Sequence, residues 1–473
     1  MKESRMQVAV VGCGYVGLVA AACFAELGHQ VTTVDNDEAK IAALNAGDPL
    51  IHEDYLPELI RRHHGKRLFF SLDLASAVRQ AQIVVIAVGT PADASGEADL
   101  SYVETATREI ARAINGHKLI VEKSTVPVHT NAWIQRSMVF NGCSVSDFDV
   151  VSNPEFLREG TAVTDFLYPD RIIVGVRSEH AACMMKELYA PLLDGSYAQQ
   201  PDAVPPPDDA VARPLYLETS PETSELIKHA SNAFLAMKIS FINAVSAVAE
   251  SANADIEDVQ IGMGSDKRIG TRFLRAGIGY GGSCFPKDVS AFRAIAQSCG
   301  CDFTLLDEVQ RINQEQLNRF VAKVRKTLWT IKGKRLAALG LAFKSGTDDI
   351  RESPAINVIQ DLLSRDCQIT AYDPAAMDRA RAVLGDAITY APNAYAAMEG
   401  ADALLILTEW KEFASLDLSM VKRLLKYPIV LDGRNLYTPK EMAAAGLNYY
   451  SIGRAPLELS NPMPDRVRTA KMS

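Results

Sequence analysis

The sequence predicts an α/β protein of two doubly wound parallel-sheet domains joined by a long central helix, and three observations carry that prediction. Strand and helix patterns alternate twice along the 473 residues, once from the N-terminus and again from Lys334. Between them lies the apolar-periodic run ELIKHASNAFLAMKISFINAVSAVAE, opened by Ser220 as N-cap and Pro221 as first helical residue. A chain of this length also exceeds what one hydrophobic core holds.

The first alternation begins with an apolar strand over residues 7–11, followed by Gly12, Gly14 and Gly17 in GCGYVG and an apolar-rich helix to about residue 27. A second strand over 30–34 ends at Asp35. Strand, glycine turn, helix and strand, with an acidic residue about 20 positions after the glycines, is the Rossmann dinucleotide fingerprint. Glycines let the backbone approach a pyrophosphate, which then lies on the helix N-terminus at Tyr15 and Val16. Asp35 is placed to accept the adenosine ribose hydroxyls and to repel a 2′-phosphate. NAD is therefore expected over NADP, a preference moderated by Lys40 on the next helix.

Strands over 83–88 and 118–122 end in Gly89-Thr90-Pro91 and Lys123-Ser124-Thr125. Ligands gather at the carboxyl ends of parallel strands, which puts Thr90 and Thr125 where a nicotinamide would lie. A strand over 149–152 runs into NPEFLREG, where Glu155 and Glu159 are expected one turn apart on a helix. By itself that pair fits a solvated helix face as well as a catalytic one.

Pro201, Pro205, Pro206, Pro207 and Pro214 make residues 194–218 read as an exposed loop or insertion. The central helix, roughly 45 Å long at 1.5 Å per residue, carries Lys228 and Asn232 one turn apart. Lys228 interrupts an apolar face there. The second alternation has strands over 335–339, 368–372, 403–407 and 429–431 and a helix over 353–364. Its glycine fingerprint is absent, because only Gly340 precedes Leu341, Ala342 and Phe343, so it is not expected to bind a dinucleotide in the same way. Lys344, Arg351 and Arg434 put positive charge at strand ends, suited to a diphosphate or, taken singly, to surface ion pairs. The chain thus reads as a dinucleotide domain over 1–200, a proline-rich loop over 201–219, a central region over 220–325, a second sheet domain over 326–459 and a flexible tail over 460–473.

Composition narrows the partners. A net charge of −9 with no basic stripe argues against a general nucleic-acid binder. The chain opens MKESRMQVAVVGCG, so a strand starts almost at once and no signal peptide precedes it. No apolar run approaches the length of a membrane span. Eight cysteines scattered through so large a chain do not form a disulfide framework, which points to a soluble cytoplasmic protein with reduced thiols. Cys299 and Cys301 have no second pair or nearby histidine to complete a zinc site.

One cysteine stands apart. In RAGIGYGGSCFPKD, Cys284 lies between a glycine-rich turn and a helix started by Pro286. Gly277, Gly279, Gly281 and Gly282 permit positive φ and close backbone approach. At such a helix N-terminus, the dipole and Lys287 favour a thiolate, the species that attacks carbonyl carbon, and Asp288 follows by one turn. A buried structural cysteine is the alternative.

Taken in order, GCGYVG, VGTP, EKSTVPV, NPEFLREG, ELIKHASNAF, RIGTRFLRAGIGYGGSCFPKD, FKSGTDDIRES and DGRN cover nearly the whole chain and closely resemble the UDP-glucose/GDP-mannose dehydrogenase family. The cysteine segment resembles its UDP-glucose 6-dehydrogenase branch. The resemblance implies NAD-dependent oxidation of the sugar's primary alcohol to a carboxylate in two steps, with Cys284 carrying a thiohemiacetal and then a thioester and two NADH released. It implies that Lys228 stabilises oxyanions, Asn232 adds a neutral donor, Asp288 positions the water or proton network, Glu155 is the base for thioester hydrolysis and Thr125 holds the water. Glu159 and Arg351 match positions near NAD. UDP-glucose is implied to be held by the segments containing Glu155, Phe156, Leu157, Arg158 and Glu159, and Phe273, Leu274, Arg275, Gly279, Tyr280 and Gly281. Lys228, Asn232, Arg268, Phe343, Lys344 and Arg434 complete that set. The residue matching Arg268 comes from the partner subunit in the family, so a homodimer is implied. The proline-rich stretch near Pro205 is longer than the family pattern.

Overall fold

Short strands rich in β-branched, aliphatic and aromatic residues build both sheets of the computed structural model, which describes residues 6–91 and 97–459. The chain divides into two compact units. One comprises the chain up to Ala233 together with Lys287–Phe303, the other Phe234–Pro286 together with the chain from Thr304.

In the first unit the strands are Gln7–Val11 (β1), Gln30–Val34 (β2), Leu68–Ser71 (β3), Ile83–Ile86 (β4), Lys118–Glu122 (β5), Phe148–Ser152 (β6), Arg171–Gly175 (β7) and Leu215–Thr219 (β8). They form one sheet in the order β3-β2-β1-β4-β5-β6-β7-β8. Pairing is parallel, with Gln7 opposite Gln30 and Val8 opposite Ile83, except that β7 meets β6 antiparallel at Ser152 and Gly175. The strand order reverses between β1 and β4, and the ends of these strands are where such sheets bind ligands. Every residue of β4 and β5 is buried, as strands covered on both faces must be.

The second unit repeats the pattern with Arg335–Leu339 (β9), Gln368–Tyr372 (β10), Thr389–Tyr390 (β11), Ala403–Ile406 (β12), Ile429–Asp432 (β13) and Asn448–Tyr450 (β14). Their order is β11-β10-β9-β12-β13-β14, all parallel, with the reversal between β9 and β12. Leu336, Ala338, Leu405 and Leu431 lie in its core. The two doubly wound sheets match the expected fold class.

Several expected elements differ in detail. NPEFLREG is not helical: residues 153–158 have no regular structure, because Pro154 cannot donate a backbone bond and the Glu155 carboxylate takes the Leu157 N–H at 2.6 Å. The stretch expected as a loop before the central helix contains a 3₁₀ turn, Tyr197–Gln199, and the edge strand β8. Pro286 is the second residue of the helix Phe285–Ser298 rather than the first. Either position lacks an intrahelical partner for its missing N–H, so the fit of proline is unchanged.

The central helix runs Pro221–Ser251. By length and apolarity it would qualify as a membrane span, with a mean hydropathy of 1.4 over its best window, contrary to the expectation that no run comes close. Its buried Ser224, Glu225, Lys228 and His229 are instead bonded to β6 and the segments that follow β5 and β6, which packs the first part of the helix against the first unit. Residues 460–473, expected as a flexible tail, lie outside the described residues.

Candidate active site

At the end of β1 the glycine turn has the shape its spacing requires. Gly12 has φ +108, and a Cβ there would meet the Ala87 carbonyl oxygen at 2.6 Å; a Cβ on Gly17 would lie 1.9 Å from the Gly12 oxygen. A Cβ on Gly14 would meet nothing within 4 Å. Two glycines therefore close the turn, and the third leaves open backbone in front of the helix Tyr15–Glu26, where a pyrophosphate fits. Asp35, just beyond β2, accepts the Cys13 N–H at 2.7 Å and the Asp37 N–H at 3.1 Å. Lys40 Nζ stands 3.6 Å from it. Its two oxygens retain lone pairs for a ribose diol. The donors and the open turn fit an NAD molecule.

The opposite end of that turn is braced by a residue the sequence reading did not single out. Buried Glu53 accepts the Tyr15 hydroxyl and the Gly160 N–H, the latter at 2.7 Å, and burial pushes its carboxyl above the usual range. Tyr15 and Glu159-Gly160 are thereby tied together.

Beside the ends of β5 and β6, the central helix supplies Lys228 and Asn232. Lys228 Nζ is 2.9 Å from Glu155 Oε1, both groups almost fully buried, and 5.3 Å from the centre of the Phe156 ring. Arg171 lies 4.1 Å from the same ring. Asn232 Nδ2 donates to Asp288 Oδ2 at 2.5 Å, and Lys287 Nζ is 2.8 Å from Asp288 Oδ1. Burial opposes ionisation of Asp288, but Lys287, Lys228 and His229 outweigh it and hold its carboxyl below the ordinary range. Asp288 is therefore a carboxylate at neutral pH. Lys287 Nζ also reaches Thr90 Oγ1 at 3.4 Å, and Thr90 Oγ1 donates to the Thr125 carbonyl at 2.8 Å. One buried cluster of the first unit thus joins Thr90, Thr125, Glu155, Lys228, Asn232 and Asp288. Arg158 lies apart, paired with Asp165 at 2.6 Å.

Lys123, at the end of β5, is a second group that sequence reasoning passed over. It is buried, and loss of water lowers its pKa to about 8, although Glu155 and Glu122 pull upward. It donates to Asn153 Oδ1 at 3.2 Å, and Tyr189 donates to the same oxygen at 2.7 Å.

In the second unit, Cys284 is half-buried immediately before the helix Phe285–Ser298, with Ser283 Oγ at 3.6 Å from its sulfur. Of the four glycines preceding it, Gly279 and Gly282 have positive φ. Gly281 is required by space, since a Cβ there would lie 2.1 Å from the Glu352 oxygen. Asn313 clamps Tyr280 from both sides, accepting its N–H at 2.9 Å and donating to its carbonyl at 3.0 Å. The Tyr280 and Phe273 rings stand edge-on to Phe285. Leu274 has its side chain in the core, leaving only its backbone for a ligand.

Arg434 donates to the Leu407 carbonyl at 2.9 Å, the Phe343 carbonyl at 2.9 Å and the Gly279 carbonyl at 3.3 Å. It staples together two of the segments expected to hold the nucleotide. Arg275 donates to the Asn435 carbonyl at 3.1 Å, and Lys344 lies 5.6 Å from the centre of the Phe343 ring. Arg351 pairs with Asp349 at 2.6 Å, and Arg268 pairs with Asp266 at 2.5 Å while standing 88% exposed. At the place corresponding to the cofactor turn, Asp373 Oδ2 accepts the Leu341 and Ala342 N–H groups at 2.7 and 3.1 Å and the Trp410 indole at 3.1 Å. That carboxylate oxygen is saturated internally, which agrees with the missing glycine fingerprint.

The chain is similar to known proteins over most of its length. Residues 6–193 match the NAD binding domain of the UDP-glucose/GDP-mannose dehydrogenase family, 222–315 its central domain and 337–439 its UDP binding domain. A UDP-glucose 6-dehydrogenase of Bacillus subtilis is 44% identical over 96% of this chain and 95% of its own. The chain belongs to the UDP-glucose/GDP-mannose dehydrogenase family. A UDP-glucose 6-dehydrogenase of Rhizobium meliloti is likewise 44% identical, over 95% of this chain and all of its own. Among solved structures, a UDP-glucose dehydrogenase from Pyrobaculum islandicum superposes with a TM-score of 0.85 at 36% identity, covering 96% of this chain and 99% of that one. A UDP-D-ManNAc dehydrogenase from Pyrococcus horikoshii gives 0.79 at 26% identity over 95% and 99%. As a member of this dehydrogenase family, the protein uses NAD, and its C-terminal sheet is the family's UDP binding domain.

Proposed function

We propose that this dehydrogenase oxidises carbon 6 of UDP-glucose twice, to UDP-glucuronate, with Cys284 holding the sugar between the two oxidations. NAD, when bound, accepts one hydride at each oxidation. The buried pairing of Lys228 with Glu155, next to Asn232 and an ionised Asp288, is the observation that carries this reading.

The first oxidation removes a hydride from carbon 6 and a proton from its hydroxyl, leaving an aldehyde. The Cys284 thiolate adds to that carbonyl, and the new C–S bond with one proton gives a thiohemiacetal. Loss of a second hydride and the hydroxyl proton gives a thioester. Water adds to the thioester carbonyl, the C–S bond breaks, and the acid leaves while Cys284 regains its thiolate. Each stage puts negative charge on the substrate oxygen, where the Lys228 ammonium and the Asn232 amide are suited to meet it. Glu155, relieved of its cation as Lys228 turns to that oxygen, takes the proton of the attacking water held by Thr125. Tethering keeps the aldehyde from escaping.

Arg434, Lys344 and the Tyr280 segment suit the UDP moiety, and a homodimer completes the site with Arg268 of each copy. The stripe Phe234, Phe241 and Val248, spaced by seven residues and 58%, 50% and 66% exposed, supports such a pairing surface. The eight cysteines form no disulfide among the described residues, which suits a reducing, cytoplasmic setting. Cys284→Ala tests the reading: formation of UDP-glucuronate should cease while NADH still binds, and retained acid formation would remove the cysteine from the chemistry.

A further inference from the structure

We propose that Glu225 and His229 are positioning residues: they fix the loop after β5, and Thr125 with it, to the central helix. The inference rests on the roles given above to Thr125 and Lys228.

Glu225 is buried, and each of its oxygens takes a backbone N–H where that loop enters the next helix, Thr130–Phe140: Oε2 from His129, its N-cap, at 2.7 Å and Oε1 from Asn131, in its first turn, at 2.8 Å. His129 has φ +79, a left-handed conformation that a side-chain-bearing residue keeps only when its surroundings hold it. One turn further along, His229 Nε2 lies 2.7 Å from the Val126 carbonyl, so Nε2 carries the proton. Its ring stacks on Phe292, with centroids 6.3 Å apart. Thr125 is thus held through its own carbonyl by Thr90 and through its neighbour's carbonyl by His229.

The same helix grips the end of β6 with an adjacent stripe. Ser224 Oγ donates to the Ser152 carbonyl at 3.2 Å, and Lys228 pairs with Glu155. Positions four apart share a helix face, so Ser224 and Lys228 serve one loop while Glu225 and His229 serve the other. A single rigid rod therefore sets the distance between Glu155 and Thr125, the two groups given charge of the water. Small misplacements of such groups cost large factors in rate.

Protonation supplies a signature. Burial pushes Glu225 up to about 7, Glu222 adding to the rise and Arg177 opposing it; from β5, buried Glu122 faces it and is itself pushed up. The two bonds together need the carboxylate, since a protonated acid gives up one acceptor oxygen to its own O–H. The grip is half made near pH 7, strengthens as pH rises above it and loosens below it.

The test compares full-length wild type with Glu225→Gln, His229→Leu and His229→Gln, using UDP-glucose and NAD, and reads melting temperature, kcat and both KM values across pH. Glu225→Gln and His229→Leu should lower kcat about tenfold or more while KM for UDP-glucose stays within about twofold. His229→Gln, which keeps an N–H donor, should recover most of that loss. Glu225→Gln should also lose the acid-side fall in kcat near pH 7. The proposal is overturned if Leu and Gln at 229 behave alike, if melting falls with kcat unchanged, or if the acid-side fall persists in Glu225→Gln. A wild type releasing one NADH per sugar would instead defeat the thioester reading, and this kcat comparison would stand.

Discussion

Lys228 and Glu155 form an ion pair 2.9 Å apart in an almost dry setting. Removing one partner of a buried pair leaves the other charge stranded, which typically costs about 3–5 kcal/mol. Lys228→Met should therefore lower the melting temperature as well as reduce kcat by at least about a hundredfold, the usual scale for losing an oxyanion donor. Unfolding curves and NADH formation measured on the same preparation check both; a fall in kcat with unaltered stability would show that Glu155 finds another cation. Cys284, Lys228, Asn232 and Asp288 could be singled out in the sequence because a turn of glycines, a proline and a four-residue spacing leave written marks. Glu225, His229, Glu53 and Lys123 could not, since a polar residue at one position of an apolar run reads equally as a solvent-facing one. Their roles depend on which loop folds against them, and that is decided by partners far away in sequence.

Elements differ in how much of themselves they announce. Strands such as β1, β2, β5, β9 and β10 were legible to the residue because their aliphatic runs are bounded by turns. The NPEFLREG segment is irregular rather than helical because the Glu155 carboxylate accepts the Leu157 N–H in competition with a helical bond, and the four-residue spacing of its glutamates gives no hint of that. β8 leaves no mark in the sequence because it is an edge strand with no fully buried residue, so it lacks the alternation that marks a half-covered strand. The glycine turn before the helix Tyr15–Glu26 yields a sharper prediction. Gly17→Ala should destabilise the fold, as its Cβ would fall 1.9 Å from a backbone oxygen. Gly14→Ala meets nothing within 4 Å, so it should leave melting nearly unchanged and weaken NADH binding. Titration of NADH fluorescence against both variants checks the pair, and unimpaired binding by Gly14→Ala would move the pyrophosphate away from this turn.

Across the whole molecule, buried carboxyls leave a pH signature. Glu225 keeps its proton in the folded chain up to about 7, whereas the unfolded chain has released it above its ordinary 4.5, so stability falls as pH rises through that window. The size is on the order of 3 kcal/mol, and Glu53, Glu122 and Asp432 are raised in the same direction. Glu225→Gln should flatten the decline of melting temperature between about pH 5 and 7; an unchanged slope would assign it to other groups. Assembly makes its own prediction: Phe241→Glu, in the exposed stripe of the central helix, should halve the mass seen by light scattering, and an unchanged mass would place any pairing surface elsewhere. The central claim is that one chain performs two oxidations with the sugar tethered to Cys284 between them. It is tested most directly by the ratio of NADH formed to UDP-glucose consumed with NAD in excess: two NADH per sugar is the result predicted, and one NADH per sugar, with free aldehyde as product, would contradict it.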